Sequence, residues 1–135
     1  MARLKSKGTA LLQEISSVYT AITQIKSIDK SGEKSETTDG TTIDQSNGYK
    51  IKDPTGYIEP CTIKAEVFFD PALSSHSAFT ALVAAPVATN FKITYTNSGP
   101  TSKIYSGVGF GYDDKANPSE NVSGTFTIET SGAPS

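Results

Sequence analysis

A chain of 135 residues with 36% hydrophobic residues can bury one core, but it has no apolar surplus for a sheet covered on both faces. Twelve basic against fourteen acidic residues give a net charge of −2, which excludes the basic footprint of a dedicated nucleic-acid or anionic-membrane binder. One cysteine and one histidine exclude a disulfide framework and a zinc centre of the usual ligands. The expected class is mainly β: an antiparallel β-sandwich or barrel whose strands alternate between a core face and a wet face.

In chain order, MARLKSKG is basic, and ALLQEIS is broken by Gln13 and Glu14, so neither a signal peptide nor a membrane span is read there. VYTAITQIKSI, residues 18 to 28, alternates and predicts one strand. Residues 29 to 49 show no periodicity and are acid-rich, which predicts a long loop of the functional or disordered kind. YIEPCTIKAEVFF, residues 57 to 69, predicts a long strand with Tyr57, Cys61, Ile63, Ala65, Val67 and Phe69 on one face and Thr62, Lys64 and Glu66 on the other. The lone Cys61 then reads as a small buried apolar residue in a reducing compartment.

Asp70-Pro71 ends that strand, and a helix over about residues 75–85 is expected, capped by Ser74 or Ser75 and stopped by Pro86. Its apolar stripe, Ala78, Phe79, Leu82 and Val83, is narrow. The helix should therefore lie on a sheet, with Phe79, Leu82 and Val83 as the packing residues. Three strands follow: 90–97 with Phe91, Ile93 and Tyr95 inward, 102–113 with Ile104, Val108, Phe110 and Tyr112 inward, and one with Val122, Phe126 and Ile128 inward. Asn97-Ser98-Gly99-Pro100 predicts the turn between the first two. Glycines 107, 109 and 111 strip the opposite face of the middle strand, which permits close approach by another backbone or subunit and leaves Tyr105 over. SGAPS reads as a frayed tail or an arm that orders on a partner.

Signals for chemistry are weak. His76 reads as a surface residue of the helix's first turn, without a nucleophile and an orienting carboxylate in the pattern. GVGFG sits within a strand, not in a strand-turn-helix phosphate loop. Asp113, Asp114, Asn117 and Glu120 match no calcium-loop spacing, so a solvated turn is the reading. No cofactor and no metal are expected, and the chain does not read as an enzyme.

The order of elements does carry information. ITQIKSIDKSGEKSETTDGTT, then AEVFFDPALSSHSAFTALV, then a final strand followed by SGAPS resembles the tail tube (major tail) proteins of long-tailed bacteriophages. That fold is shared with the type VI secretion tube protein. The resemblance implies a single tail-tube domain over residues 1–135, with an N-terminal arm over about 1–9 and a C-terminal arm over about 131–135. It also implies a structural virion protein in which six copies join sheets into a ring and rings stack into a hollow tail tube. Double-stranded DNA transits that lumen without specific binding. The partners implied are the chain itself and the tape-measure, tail-terminator and tail-tip proteins, with assembly in the bacterial host cytoplasm and no membrane insertion. A non-tube phage structural protein and a β-sandwich ligand-binding module are the alternatives.

Two residue sets follow from the resemblance. The long loop, with Asp29, Lys30, Glu33, Lys34, Glu36, Asp39 and Asp44, would contact the adjacent ring. The polar strand faces would line the lumen with Thr62, Glu66, Thr125, Thr127 and Glu129, since Ser, Thr and carboxylates hold no phosphate in place. Lys26 and Lys64 share those faces and are expected to pair with Glu66 or Glu129.

Overall fold

The computed structural model describes residues 8–42, 48–96 and 101–135. Among the described residues nine strands and one helix follow in the order β1 (Ala10–Ile15), β2 (Val18–Ala21), β3 (Ile25–Ser31), β4 (Lys34–Asp39), β5 (Lys52–Glu59), β6 (Thr62–Phe68), α1 (Ser74–Ala84), β7 (Thr89–Thr94), β8 (Ser102–Lys115) and β9 (Ser123–Ser131). The expected mainly β, antiparallel class with one flanking helix holds, as an open sheet rather than a closed barrel. Seven strands form one sheet in the order β2-β1-β7-β8-β9-β6-β3, while β4 and β5 form a separate two-stranded ribbon.

The large sheet must roll. Its edge strands β2 and β3 are joined by three residues, Ile22 to Gln24, and that link spans at most about 15 Å. Seven strands laid flat would set the edges about 29 Å apart. β8 makes the corner. Up to Gly107 it pairs with β7, and from Gly109 on it pairs only with β9, with a bulge between Gly107 and Gly109. A bulge bends its strand and lets it change sheets. Two layers result, β2-β1-β7 with proximal β8 and distal β8-β9-β6-β3.

The core lies between them. Leu11, Ile63, Ala65, Val67, Phe91, Phe126 and Ile128 are fully buried from the two layers. The helix closes the open side of the roll through Phe79, which stacks on Phe126 at 4.3 Å and meets Phe91 and Phe110 edge-on. Leu82 and Val83 flank it, half-buried against the same cluster. Phe79, Leu82 and Val83, the residues expected to pack, stand on the helix face turned to this cluster.

Several expectations are corrected. Residues 18–28 form two strands, because Gln24 takes φ 59° and the chain turns inside an alternating run. ALLQEI, given no strand, is β1, the partner of both β2 and β7. The segment 29–49 is not a plain loop: β3 runs on to Ser31, and β4 occupies Lys34–Asp39. The long strand 57–69 breaks at Pro60, so Tyr57 falls on β5 and is exposed. The bulge in β8 turns Tyr105 into the core at 2% exposure and leaves Val108 outside at 48%. The turn at 97–100 lies outside the described residues.

His76 is the largest correction. It is fully buried, stacked on Phe69 and edge-on to Phe126. The Asp70 amide donates to Nδ1 at 3.1 Å, so the proton sits on Nε2, which donates to the Thr23 carbonyl at 2.7 Å. Ser75 does not cap the helix: its Oγ accepts from the Thr23 amide and bonds the Thr23 hydroxyl. The residue at the N-cap is Leu73, with no side-chain cap, and Asp70 orders the approach by accepting from the Ala72 and Leu73 amides. The start of α1 thus clasps the β2–β3 link, where the rolled sheet's edges meet.

Candidate assembly interface

The β6–β9 ladder sets Thr62 opposite Glu129, Lys64 opposite Thr127 and Glu66 opposite Thr125. The core-facing partners, Ile63 with Ile128 and Ala65 with Phe126, alternate with these, so the polar pairs share the outer face. All five residues expected at a lumen are therefore neighbours on one surface. β3 extends it with Ser27, Asp29 and Ser31 opposite Glu66, Lys64 and Thr62. Distal β8 extends it on the other side with Gly109, Gly111 and Asp113 opposite Glu129, Thr127 and Thr125. The face is four strands wide, and Phe68, at the end of β6 opposite Ser123, puts a large apolar side chain on it, 40% exposed.

Neither expected lysine pair forms. Lys26 lies over the Phe68 ring at 5.1 Å, and Lys64 sits across from Asp29. Among the described residues the one ion pair joins Lys30 to Glu33 at 3.9 Å.

Both edges of this four-stranded face are free. β3 pairs only with β6, and distal β8 pairs only with β9; among the described residues no other main chain bonds either edge. Since each neighbouring pair is antiparallel, β8 and β3 run in opposite directions. Among the described residues β2, at the edge of the other layer, pairs only with β1 and is a third free edge. Free edges are templates for pairing with another chain.

The β4–β5 ribbon has no core of its own. β4 is exposed throughout, and Tyr57 and Ile58 of β5 are 72% and 66% exposed. An isolated two-stranded ribbon is marginal in water. Pro54 and the irregularity between Ser35 and Thr37 blunt β5 as a pairing edge. Of the residues expected in a contact loop, Lys34, Glu36 and Asp39 lie on β4 and Glu33 at its base, whereas Asp29 and Lys30 belong to β3. Asp44 lies outside the described residues. At the end of β4 the Asp39 carboxylate accepts from the Thr41 amide at 2.9 Å, and bonds from Thr41 hold its pKa below the usual range.

Lys30 turns inward at the end of the roll and donates to the Tyr105 hydroxyl at 3.3 Å. Burial raises the Tyr105 pKa against the opposing pull of Lys30, and that same hydrogen bond raises the pKa of Lys30. Next to them Cys61, Ile58, Pro60, Thr130, Ala133 and Pro134 line a mostly apolar cavity of about 190 Å³. The tail closes over it, because the Ser135 and Ile104 main chains exchange bonds of 2.8 and 3.0 Å. Cys61 is buried with its Sγ 3.5 Å from the Thr130 hydroxyl. At the turn after β8, Asn117 donates to Glu120 at 3.1 Å. No group of three or more His, Cys, Asp or Glu side chains gathers at metal-binding distance among the described residues, and no described helix is long and apolar enough to cross a membrane.

Sequence reasoning missed distal β8 and β3 as parts of the polar face. The glycines at 109 and 111 were the available signal for the first. For the second, the polar side of IDKS was hidden inside a segment without periodicity.

No family model matches the chain, and no curated protein matches it. Solved structures do. The chain is similar to a chain in the tail of an empty gene transfer agent particle refined helically with C6 symmetry, at 14% identity and TM-score 0.78, covering 98% of each chain. It is similar to one in the virion of a native gene transfer agent particle, at 12% identity and TM-score 0.76, again with 98% of each covered. The SPP1 tail tube matches at 8% identity and TM-score 0.75, over 96% of this chain and 77% of that one. At such identities the likeness speaks to fold, and it spans nearly the whole chain: this is the fold of tail tube proteins.

Proposed function

We propose that the chain is a structural tail protein, not an enzyme, which polymerises as stacked six-membered rings into a hollow tube that passes double-stranded DNA. The observation that carries this reading is the four-stranded polar face with two free edges of opposite direction. Because the strand number is even, repeating the unit head to tail keeps every neighbour antiparallel, the seam included. A heterologous contact of that kind closes into a ring when the rotation permits. The C6 symmetry of the gene transfer agent tail favours six copies. Six such units give a barrel of about 24 strands and, at a tilt near 40°, a backbone diameter of about 48 Å, wide enough for a duplex.

The rest of the fold suits that object. The polar face turns to the bore, where the carboxylates of Asp29, Glu66, Asp113 and Glu129 outnumber Lys64 and Lys26, so that the lining repels phosphate on balance. The helix lies on the far side of the core, sealing through Phe79 the layer that the bore keeps wet. The β4–β5 ribbon, which cannot bury itself, reaches the adjacent ring and orders there. Tape-measure, tail-terminator and tail-tip proteins are the further partners, and the virion tail, assembled in the host cytoplasm, is the place of action. Negative-stain microscopy of the concentrated protein tests this reading. Hollow filaments support it, whereas dispersed single copies at every concentration overturn it.

A further inference from the structure

Three glycines alternate along β8, and the chain itself explains two. A Cβ on Gly107 would strike Phe91, Ile128 and Phe110 at 2.9–3.0 Å, and one on Gly109 would strike Glu129 at 2.8 Å. A Cβ on Gly111 would meet nothing within 4 Å, and its φ is not positive. Glycine inside a strand destabilises it and often marks close approach by another backbone. Gly111 stands on the free edge of β8, where the strand of another copy has room to approach.

We propose that the ring seam is an antiparallel ladder between β3 of one copy and distal β8 of the next, in the register that sets Gly111 opposite Asp29. This rests on the tube reading. Face matching leaves only registers that differ by two residues, since a one-residue slip would turn Phe110 and Tyr112 into the bore. Of these, the register with Gly111 opposite Asp29 also places Asp113 opposite Ser27 and Gly109 opposite Ser31 on the polar face. On the core face it sets Tyr112, 42% exposed in the single copy, beside the half-buried Ile28, and Phe110 beside Lys30. Moving by two in one direction opposes Asp113 to Asp29, and like charges directly opposite are destabilising. Moving by two the other way runs the ladder into the bulge between Ile25 and Ser27. The selected register keeps five pairs and leaves Asp29 room over Gly111 beside its own-chain neighbour Lys64.

Residues directly opposite in a ladder have Cβ atoms within disulfide range. The chain carrying Asp29→Cys and Gly111→Cys, with buried Cys61 left in place, is assembled, oxidised and run on a non-reducing gel. The expected result is a ladder of covalent multimers that ends at six, while the Ser27→Cys, Gly111→Cys pair and each single variant stay mainly uncrosslinked. Rings or tubes seen by microscopy without the 29–111 crosslink, or with stronger 27–111 crosslinking, overturn the register while leaving the tube reading intact. Absence of rings and tubes from the unsubstituted protein overturns both.

Discussion

His76→Ala isolates the clasp that joins the helix start to the β2–β3 link. Removing the imidazole leaves the Asp70 amide and the Thr23 carbonyl without their partner at a buried site. Each orphaned group costs about 1–3 kcal/mol. Loss of the stacked contact on Phe69 and the edge contact on Phe126 adds about 0.5–1.5 kcal/mol. The sum, about 2.5–7.5 kcal/mol, is a large share of the roughly 5–15 kcal/mol that holds an ordinary domain together. With a urea m-value of about 1–3 kcal/mol/M, the unfolding midpoint should fall by roughly 2 M. Urea titration of the unassembled chain, followed by circular dichroism, measures it. His76→Phe keeps a ring in place and loses both hydrogen bonds, so it should fall short of the alanine variant by only about 1 kcal/mol. If His76→Ala shifts stability by less than about 0.5 kcal/mol, as an exposed substitution does, the clasp is not what holds the roll closed.

Four further outcomes are expected. Phe79→Ala, which empties the contact between helix and both layers, should cost about 3–5 kcal/mol in the same titration; a cost below about 1 kcal/mol would show that the helix does not seal the core. Replacing residues 33–60 by a short glycine-serine turn should leave a folded protein, because Ser31 already faces Thr62 across the ladder, yet abolish tubes under the microscope. Normal tubes from that variant would remove the ribbon from the stacking contact. Glu66→Lys with Glu129→Lys should give tubes that retain DNA on a filter, with retention falling as salt rises; equal retention by both proteins would contradict the bore assignment. In alkaline absorbance titration Tyr105 and Tyr19 should both ionise above the usual range, and Lys30→Met should push the Tyr105 component higher, because Lys30 opposes the effect of burial there. A Lys30→Met profile shifted downward would show the hydrogen bond to be absent.

Legibility in the sequence tracked where the physics is local. The alternation from Cys61 to Val67 reports a strand with one buried face, and Pro71 and Pro86 bracket the helix, so β6 and α1 were readable with their packing faces. The polar set from Thr62 to Glu129 followed from the same alternation, and the ladder places it together. Tertiary causes hid the rest. Nothing in TAITQI announces the left-handed Gln24 that sends two halves of one alternating run to opposite edges. KSETTD has no apolar alternation because β4 faces no core. The face of Tyr105 depends on a bulge two residues further on, and His76 is buried only because Asp70 and Thr23 converge on it from two other segments.

The most direct test is a cryo-electron microscopy reconstruction of the assembled protein at a resolution that separates strands. The account predicts a six-fold ring in which one continuous antiparallel barrel crosses every subunit boundary, with Glu66, Thr127 and Glu129 pointing into the bore. A reconstruction in which each copy's β3 and distal β8 edges stay unpaired, or in which that polar face looks outward, would contradict it.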